Sequence, residues 1–215
     1  MIQPIAILGG NIRALSSAHA ILDSRPDAEV HIIEEAAEIG LTGETPGIIS
    51  RWPIVPTHWL SELGSQEPKS SSGAVRRSWL EKAMATSLAS RGCTFHLRTR
   101  VEDVSQEDEV SFVGAGVMGS GKASFGTVLD MRTSTHSDKE WEGGVCNLRH
   151  SPSFGIQGER PDRTIEVWWR GQKPDQGKWV HRMRWAGDDP ASSLEDDIGT
   201  GAEAAKTLID TIIQP

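Results

Sequence analysis

Ile5-Ala-Ile-Leu-Gly-Gly-Asn-Ile-Arg-Ala-Leu15, followed by Val30-His-Ile-Ile-Glu-Glu35, decides the fold. An apolar strand over residues 5–9 runs into a glycine turn. Ile12, Leu15, Ala18 (or His19) and Leu22 then recur at helical spacing, so residues 12–23 form an amphipathic helix. Arg25-Pro26-Asp27 ends it. Residues 28–34 form a second strand, closed by two carboxylates. Strand, turn, helix, strand and acid is the layout of a dinucleotide-binding βαβ unit.

The chemistry of that unit is specific. The turn aims a helix N-terminus at a diphosphate, whose charge the backbone N–H groups and helix dipole stabilise. Gly9 and Gly10 open the turn. Asn11 stands where a second glycine usually lets backbone approach the diphosphate, and asparagine tolerates the left-handed region. Ala14 takes the third glycine position, where a small residue serves helix–strand packing. Glu34 ends the second strand, where a carboxylate accepts hydrogen bonds from ribose hydroxyls, and Glu35 is its rival. A second glycine run, Val113-Gly-Ala-Gly-Val-Met-Gly-Ser-Gly121, satisfies the same expression better. The strand at residues 127–131 follows it too closely for a crossover helix, so it reads as the turn of an antiparallel hairpin between strands 109–113 and 125–131.

Further along, residues 40–47 are rich in glycine, threonine and proline, hence loop. Residues 65–73 read as a serine-rich linker. Residues 74–91 carry Trp79, Leu80, Ala83, Met84 and Leu88 at helical spacing, stopped by Gly92. Residues 93–104 read as one strand. Residues 164–169 and 178–185 read as a hairpin around residues 171–177, inside a β-rich segment from Trp141 to Trp185. Residues 198–213 form the last helix. The fold class that follows is α/β: a Rossmann-like parallel sheet with an inserted antiparallel β segment, all in one domain over residues 1–215.

Composition narrows the function. A net charge of −8 over 215 residues argues against a nucleic-acid surface. Cys93 and Cys146 have no CxxC partner, so no four-cysteine zinc site is expected and a reducing, cytoplasmic setting is the simplest reading. The apolar runs are too short for a membrane span, and the chain enters its first strand too early for a signal peptide. His58, His96, His136, His150 and His181 lack metal-ligand spacing, so no metal site is expected. No GxSxG elbow suggests a hydrolase. Trp168, Trp169, Trp179 and Trp185 alternate with Arg170, Arg182 and Arg184. Such a run reads either as an aromatic wall with arginines anchoring an acidic substrate, or as a two-faced sheet with tryptophans inside and arginines outside. Asp196 and Asp197 suit the N-terminus of the last helix through its dipole alone.

The βαβ unit together with Gly40-Leu-Thr-Gly-Glu-Thr-Pro-Gly-Ile-Ile-Ser50 resembles FAD-dependent oxidoreductases, particularly the D-amino-acid-oxidase-like group and related glutathione-reductase-type flavoproteins. Val75-Arg-Arg-Ser-Trp-Leu80 and the strand to Val101 are similar to that group's helix and strand. Phe125-Gly-Thr-Val-Leu-Asp-Met131 resembles its later strand. Trp185-Ala-Gly-Asp-Asp-Pro190 with Ile198-Gly-Thr-Gly-Ala202 resembles its C-terminal Gly-Asp motif and helix. The resemblance implies FAD as cofactor and a small organic substrate exchanging a hydride or electrons with the flavin. It also implies a set of cofactor-binding residues. Gly9, Gly10, Asn11, Ile12, Arg13 and Ala14 would lie at the diphosphate. Glu34 or Glu35 would sit at the ribose, Thr42 and Gly43 along the ribityl chain, and Val101 at adenine. Gly187 with Asp188 or Asp189 would lie at the ribityl hydroxyls. No catalytic residue is identified. The chain departs from the pattern at Asn11, at Asp130-Met-Arg-Thr133 and in its shortness. A non-catalytic Rossmann-like protein, or one subunit of a hetero-oligomeric flavoenzyme whose partner completes the active site, is the alternative expectation; for assembly, a homo- or a hetero-oligomer is left open.

Overall fold

The computed structural model describes residues 3–41, 45–62, 64, 67–114, 119–132, 137–171 and 178–213. Four parallel strands form the central sheet: β1 (Ile5–Leu8), β2 (Val30–Ile33), β3 (Thr94–His96) and β7 (Thr127–Asp130), in the order β3-β2-β1-β7. The central strands β1 and β2 are apolar except for His31, as a sheet covered on both faces requires, and the polar residues of the sheet otherwise lie on its edge strands β3 and β7. One face packs against α1 (Ile12–Ser24), α2 (Arg77–Ser90) and α3 (Ser193–Ile213) through Ile7, Leu15, Leu80, Met84 and Leu194. The other face packs through Ala6, Leu8 and Ile33 onto a three-stranded antiparallel meander, β4 (Thr99–Val104), β5 (Glu109–Gly114) and β6 (Ser120–Ser124). A second antiparallel sheet holds β8 (Glu140–Asn147), β9 (Ile156–Glu159), β10 (Thr164–Trp169) and β11 (Trp179–Ala186) in the order β11-β8-β10-β9.

This architecture is the expected α/β class, with several corrections to its parts. Residues 93–104 are two strands, because Arg98 turns the chain with φ +53° and sends β3 and β4 into different sheets. The glycine run does sit between antiparallel strands, but β5 pairs with β6 rather than with residues 125–131, which join β1 in parallel as β7. Strands β10 and β11 are not partners. Both pair with β8, whose Gly143 and Gly144 leave room for the rings of Trp168 and Trp179; a Cβ on Gly143 would stand 2.6 Å from Trp168 Cζ3. Helix α2 starts at Arg77, since Ala74 bridges to Ile48 and the Val75 amide bonds the Gly47 carbonyl. Helix α3 starts at Ser193, five residues before the expected 198, with the Ser193 amide on the Asp189 carbonyl.

A buried carboxylate joins the two halves. Glu166 on β10 accepts from the Gly47 amide at 2.8 Å, from Arg160 Nε and Nη2 at 3.0 and 2.6 Å, and from Trp168 Nε1 at 2.6 Å. Four donors surround one buried anion, which is how an interior charge is tolerated. The loop after β2 is thereby pinned to the antiparallel sheet, and the Gly73 and Ala74 amides on the Glu159 carbonyl repeat the link.

Candidate functional site

The carboxyl ends of β1, β2 and β7 open on one cleft of about 660 Å³. Strand β1 has β2 on one side and the late strand β7 on the other, so the cleft lies where the order of connections reverses. Ligands of open α/β sheets bind at such a point, and the volume is within the range of small-molecule sites. Of the residues expected at a cofactor, Gly9, Asn11, Arg13, Glu34, Glu35, Val101, Gly187, Asp188 and Asp189 line it. Ile12 and Ala14 lie wholly inside the core, and Gly10 is also buried. Thr42 and Gly43 fall outside the described residues, as does His136.

Gly9 makes the turn with φ +104°, a region that favours glycine. Gly10 serves a close approach: a Cβ there would stand 2.5 Å from Ile39 Cδ1. Glu34 folds back over this turn. One carboxylate oxygen accepts from the Gly10 amide and the other from the Ala36 amide at 2.7 Å. Asn11 corrects the sequence expectation, since its φ of −83° and ψ of 176° are extended rather than left-handed. It is the N-cap of α1, its Oδ1 accepting from the Ala14 amide at 3.1 Å. Its Nδ2 donates to the Met131 carbonyl at 2.7 Å, which ties the helix to the end of β7. An asparagine therefore fills a structural position that glycine could not.

The sequence reading missed the charged network beside this turn. Asp197 of α3 accepts from Arg13 Nε at 2.5 Å and from Arg77 Nη2 at 2.5 Å. Arg77 Nε reaches Glu81 at 3.4 Å, and the Ile12 amide also donates to Glu81. Glu81 is 2% exposed. Burial pushes its carboxyl up to about 7, against the opposing pull of Arg77. All four side chains line the cleft. Arg77 and Glu81 stand four apart on one helix face, a spacing visible in the sequence; their partner on α3 was not.

The remaining wall is aromatic and acidic. The Trp185 indole covers Gly187, with Trp168 edge-on behind it at 6.3 Å. The Gly187 carbonyl accepts from Trp141 Nε1 at 3.0 Å. Asp188 is 84% exposed and pairs with Lys139 at 3.0 Å. Asp189 Oδ1 accepts from the Ala191 amide at 2.9 Å, where the chain enters α3. Arg132, after β7, is held by Asp130, whose carboxyl that guanidinium lowers. Of the four tryptophans alternating with arginines, only Trp185 lines the cleft. Trp169 and Trp179 stack at 5.1 Å in a separate apolar cluster, with Arg182 over both rings. Arg170 lies over Trp141, and Arg184 pairs with Glu142 at 3.2 Å. None of the three arginines lines the cleft. Neither sequence alternative holds in full: Trp168 and Trp169 are buried and Arg184 faces outward, but Arg182 packs on the tryptophan rings and Trp185 lines the cleft.

Among the described residues no group of three or more His, Cys, Asp or Glu could hold a metal ion, and no helix is long and apolar enough to cross a membrane. Both cysteines are free and buried.

No protein-family model matches the sequence, and no curated protein matches it. Solved structures do. The chain is similar to a geranylgeranyl bacteriochlorophyll reductase-like protein from Thermoplasma acidophilum, with a TM-score of 0.69 at 10% identity over 98% of this chain and 79% of that one. It is similar to the p-nitrophenol 4-monooxygenase PnpA from Pseudomonas putida DLL-E4, with a TM-score of 0.68 at 9% identity over 98% and 80%. It is also similar to CmlS, a flavin-dependent halogenase, with a TM-score of 0.52 at 14% identity, covering 98% of this chain but 46% of that one. At such identities the likeness is one of fold. The chain shares the Rossmann-like architecture of these proteins and is shorter than each of them.

Proposed function

We propose that the chain is a compact FAD-binding oxidoreductase that passes a hydride or electrons between a small organic substrate and the flavin. The observation that carries this reading is the convergence on one cleft of the glycine turn, the N-terminal ends of α1, α2 and α3, and Glu34 at the end of β2. A diphosphate fits beside the first of these, because helix N-termini and guanidinium groups stabilise phosphate charge. Arg13 and Arg77 supply the guanidiniums. Glu34 or Glu35 suits the adenosine ribose, Val101 the adenine, and Gly187, Asp188 or Asp189 the ribityl hydroxyls. The antiparallel sheet over residues 141–185 is the reduced substrate region of a single domain. Its Trp185 offers a flat wall for a planar ring.

When bound, FAD would supply the redox chemistry, while the protein supplies binding, orientation and electrostatics. The likeness to a reductase-like protein, a monooxygenase and a flavin-dependent halogenase supports the reading at that level, without the D-amino-acid-oxidase subdivision.

Added FAD tests it. Uptake should quench flavin fluorescence and raise the melting temperature, because saturating ligand at about a hundred times its Kd stabilises by about 2.7 kcal/mol. A protein that leaves both unchanged is no flavoprotein.

A further inference from the structure

In the cleft, two arginines already share one carboxylate. Arg13 Nε and Arg77 Nη2 both meet Asp197 at 2.5 Å, on opposite oxygens. The three residues come from α1, α2 and α3 and sit where those helices begin. An anion entering beside Gly9 and Asn11 meets guanidiniums that already hold a negative partner. We infer that Asp197 is a specificity-determining internal anion: a diphosphate enters the cleft by displacing it from Arg13 and Arg77, and Glu81 takes up a proton as Arg77 leaves. This inference rests on the proposed cofactor reading for the identity of the natural ligand, but the exchange itself needs only the diphosphate.

The physical argument has two parts. First, Asp197 holds Arg13 Nε and Arg77 Nη2 by charge-assisted bonds, so a diphosphate that takes those two donors competes with the carboxylate for them. A diphosphate offers several acceptor oxygens over two phosphates and can satisfy both arginines. A single weakly charged group cannot. Second, Glu81 is enclosed on every side. Arg77 faces it from its own helix, Asp197 from α3 and the Ile12 amide from α1. Arg77 is the cation that favours its ionised form, while Asp197 disfavours it. Moving Arg77 toward the ligand leaves a buried carboxylate beside a second carboxylate, and both effects favour the protonated acid. Binding then draws a proton from solvent, and affinity falls as pH rises past about 7, where Glu81 is ionised before the ligand arrives.

The experiment is calorimetric titration of the whole protein with FAD and, separately, with ADP-ribose. The second carries the same diphosphate diester without a flavin and does not itself titrate near neutrality. Wild type, Asp197→Asn and Glu81→Gln are compared in two buffers of different ionisation enthalpy. Asp197→Asn should bind ADP-ribose about tenfold more tightly or better. Wild type should take up a fraction of a proton on binding near pH 7.5, and Glu81→Gln should take up none. An unchanged or weaker affinity in Asp197→Asn, or wild-type binding without proton uptake, overturns the exchange even if FAD binds. Should Asp197→Asn fail to fold, the wild-type and Glu81→Gln proton counts decide alone. If ADP-ribose behaves as expected while FAD does not bind, the exchange stands and the flavin reading falls. If neither ligand binds any variant, both fall.

Discussion

Asn11 shows how one side chain can look like a defect in sequence and be a joint in structure. Its spacing marks it as a missing glycine. Its partner, the Met131 carbonyl, lies 120 residues away and leaves no local signature. The glycine pair and Glu34 were legible because backbone sterics and strand ends write themselves into neighbouring residues. The network of Arg13, Arg77, Glu81 and Asp197 was not, because it needs the crossing of three helices. Asn11→Ala should lose both the helix cap and the bond to β7. Each is worth about 1 kcal/mol, so a loss of about 2 kcal/mol in urea unfolding is expected, with Asn11→Gly intermediate. An Asn11→Ala protein as stable as wild type would show that neither bond matters.

Among elements, the helices carried the clearer signal and the antiparallel strands the weaker one. Period 3.6 placed α1 within a residue of its observed ends. Alternation alone could not say that β8 would separate β10 from β11, because that choice depends on tryptophan rings lying over Gly143 and Gly144. Two glycines of α3 make the same point about packing. A Cβ on Gly201 would overlap the Arg13 carbonyl, whereas one on Gly199 meets nothing. Gly199→Ala should therefore stabilise the protein by up to about 1 kcal/mol through helix propensity. Gly201→Ala should destabilise it by about 1–3 kcal/mol and loosen the α1–α3 wall of the cleft. Denaturant midpoints of the pair check this, and equal shifts in one direction would refute the packing argument. Between the two halves, Glu166→Gln leaves Arg160 buried without its counter-charge. A loss of about 3–5 kcal/mol is expected in the same assay.

Across the whole molecule, two buried groups pull the pH dependence of stability in opposite directions. His19 stacks on Trp59 at 5.0 Å, accepts from Arg91 at Nδ1 and meets the Met84 carbonyl through Nε2, so it is neutral. Burial lowers it from 6.5 to about 4. Between those values the unfolded chain holds more protons, so stability grows as pH rises from about 4 to 6.5. Glu81 is raised from 4.5 to about 7. Between those values the folded chain holds more protons, so stability falls as pH rises. Each effect is worth about 3 kcal/mol over its span, and they nearly cancel between pH 4.5 and 6.5. Melting temperature should be nearly flat there in wild type, rise with pH in Glu81→Gln and fall with pH in His19→Gln. Parallel profiles for all three proteins would remove both groups from the account.

The bond between Arg13 and Asp197 spans 184 residues. A ribosome making this chain delivers the glycine turn and Glu34 early, then the two antiparallel sheets, and only afterwards the helix that supplies Asp197. Until then the turn has no opposite wall, and the guanidiniums of Arg13 and Arg77 lack the carboxylate that holds them. Completion of the cleft is thus a late event in the life of each molecule, and a nascent or truncated chain that stops short of α3 would carry the glycine turn without the cleft it belongs to.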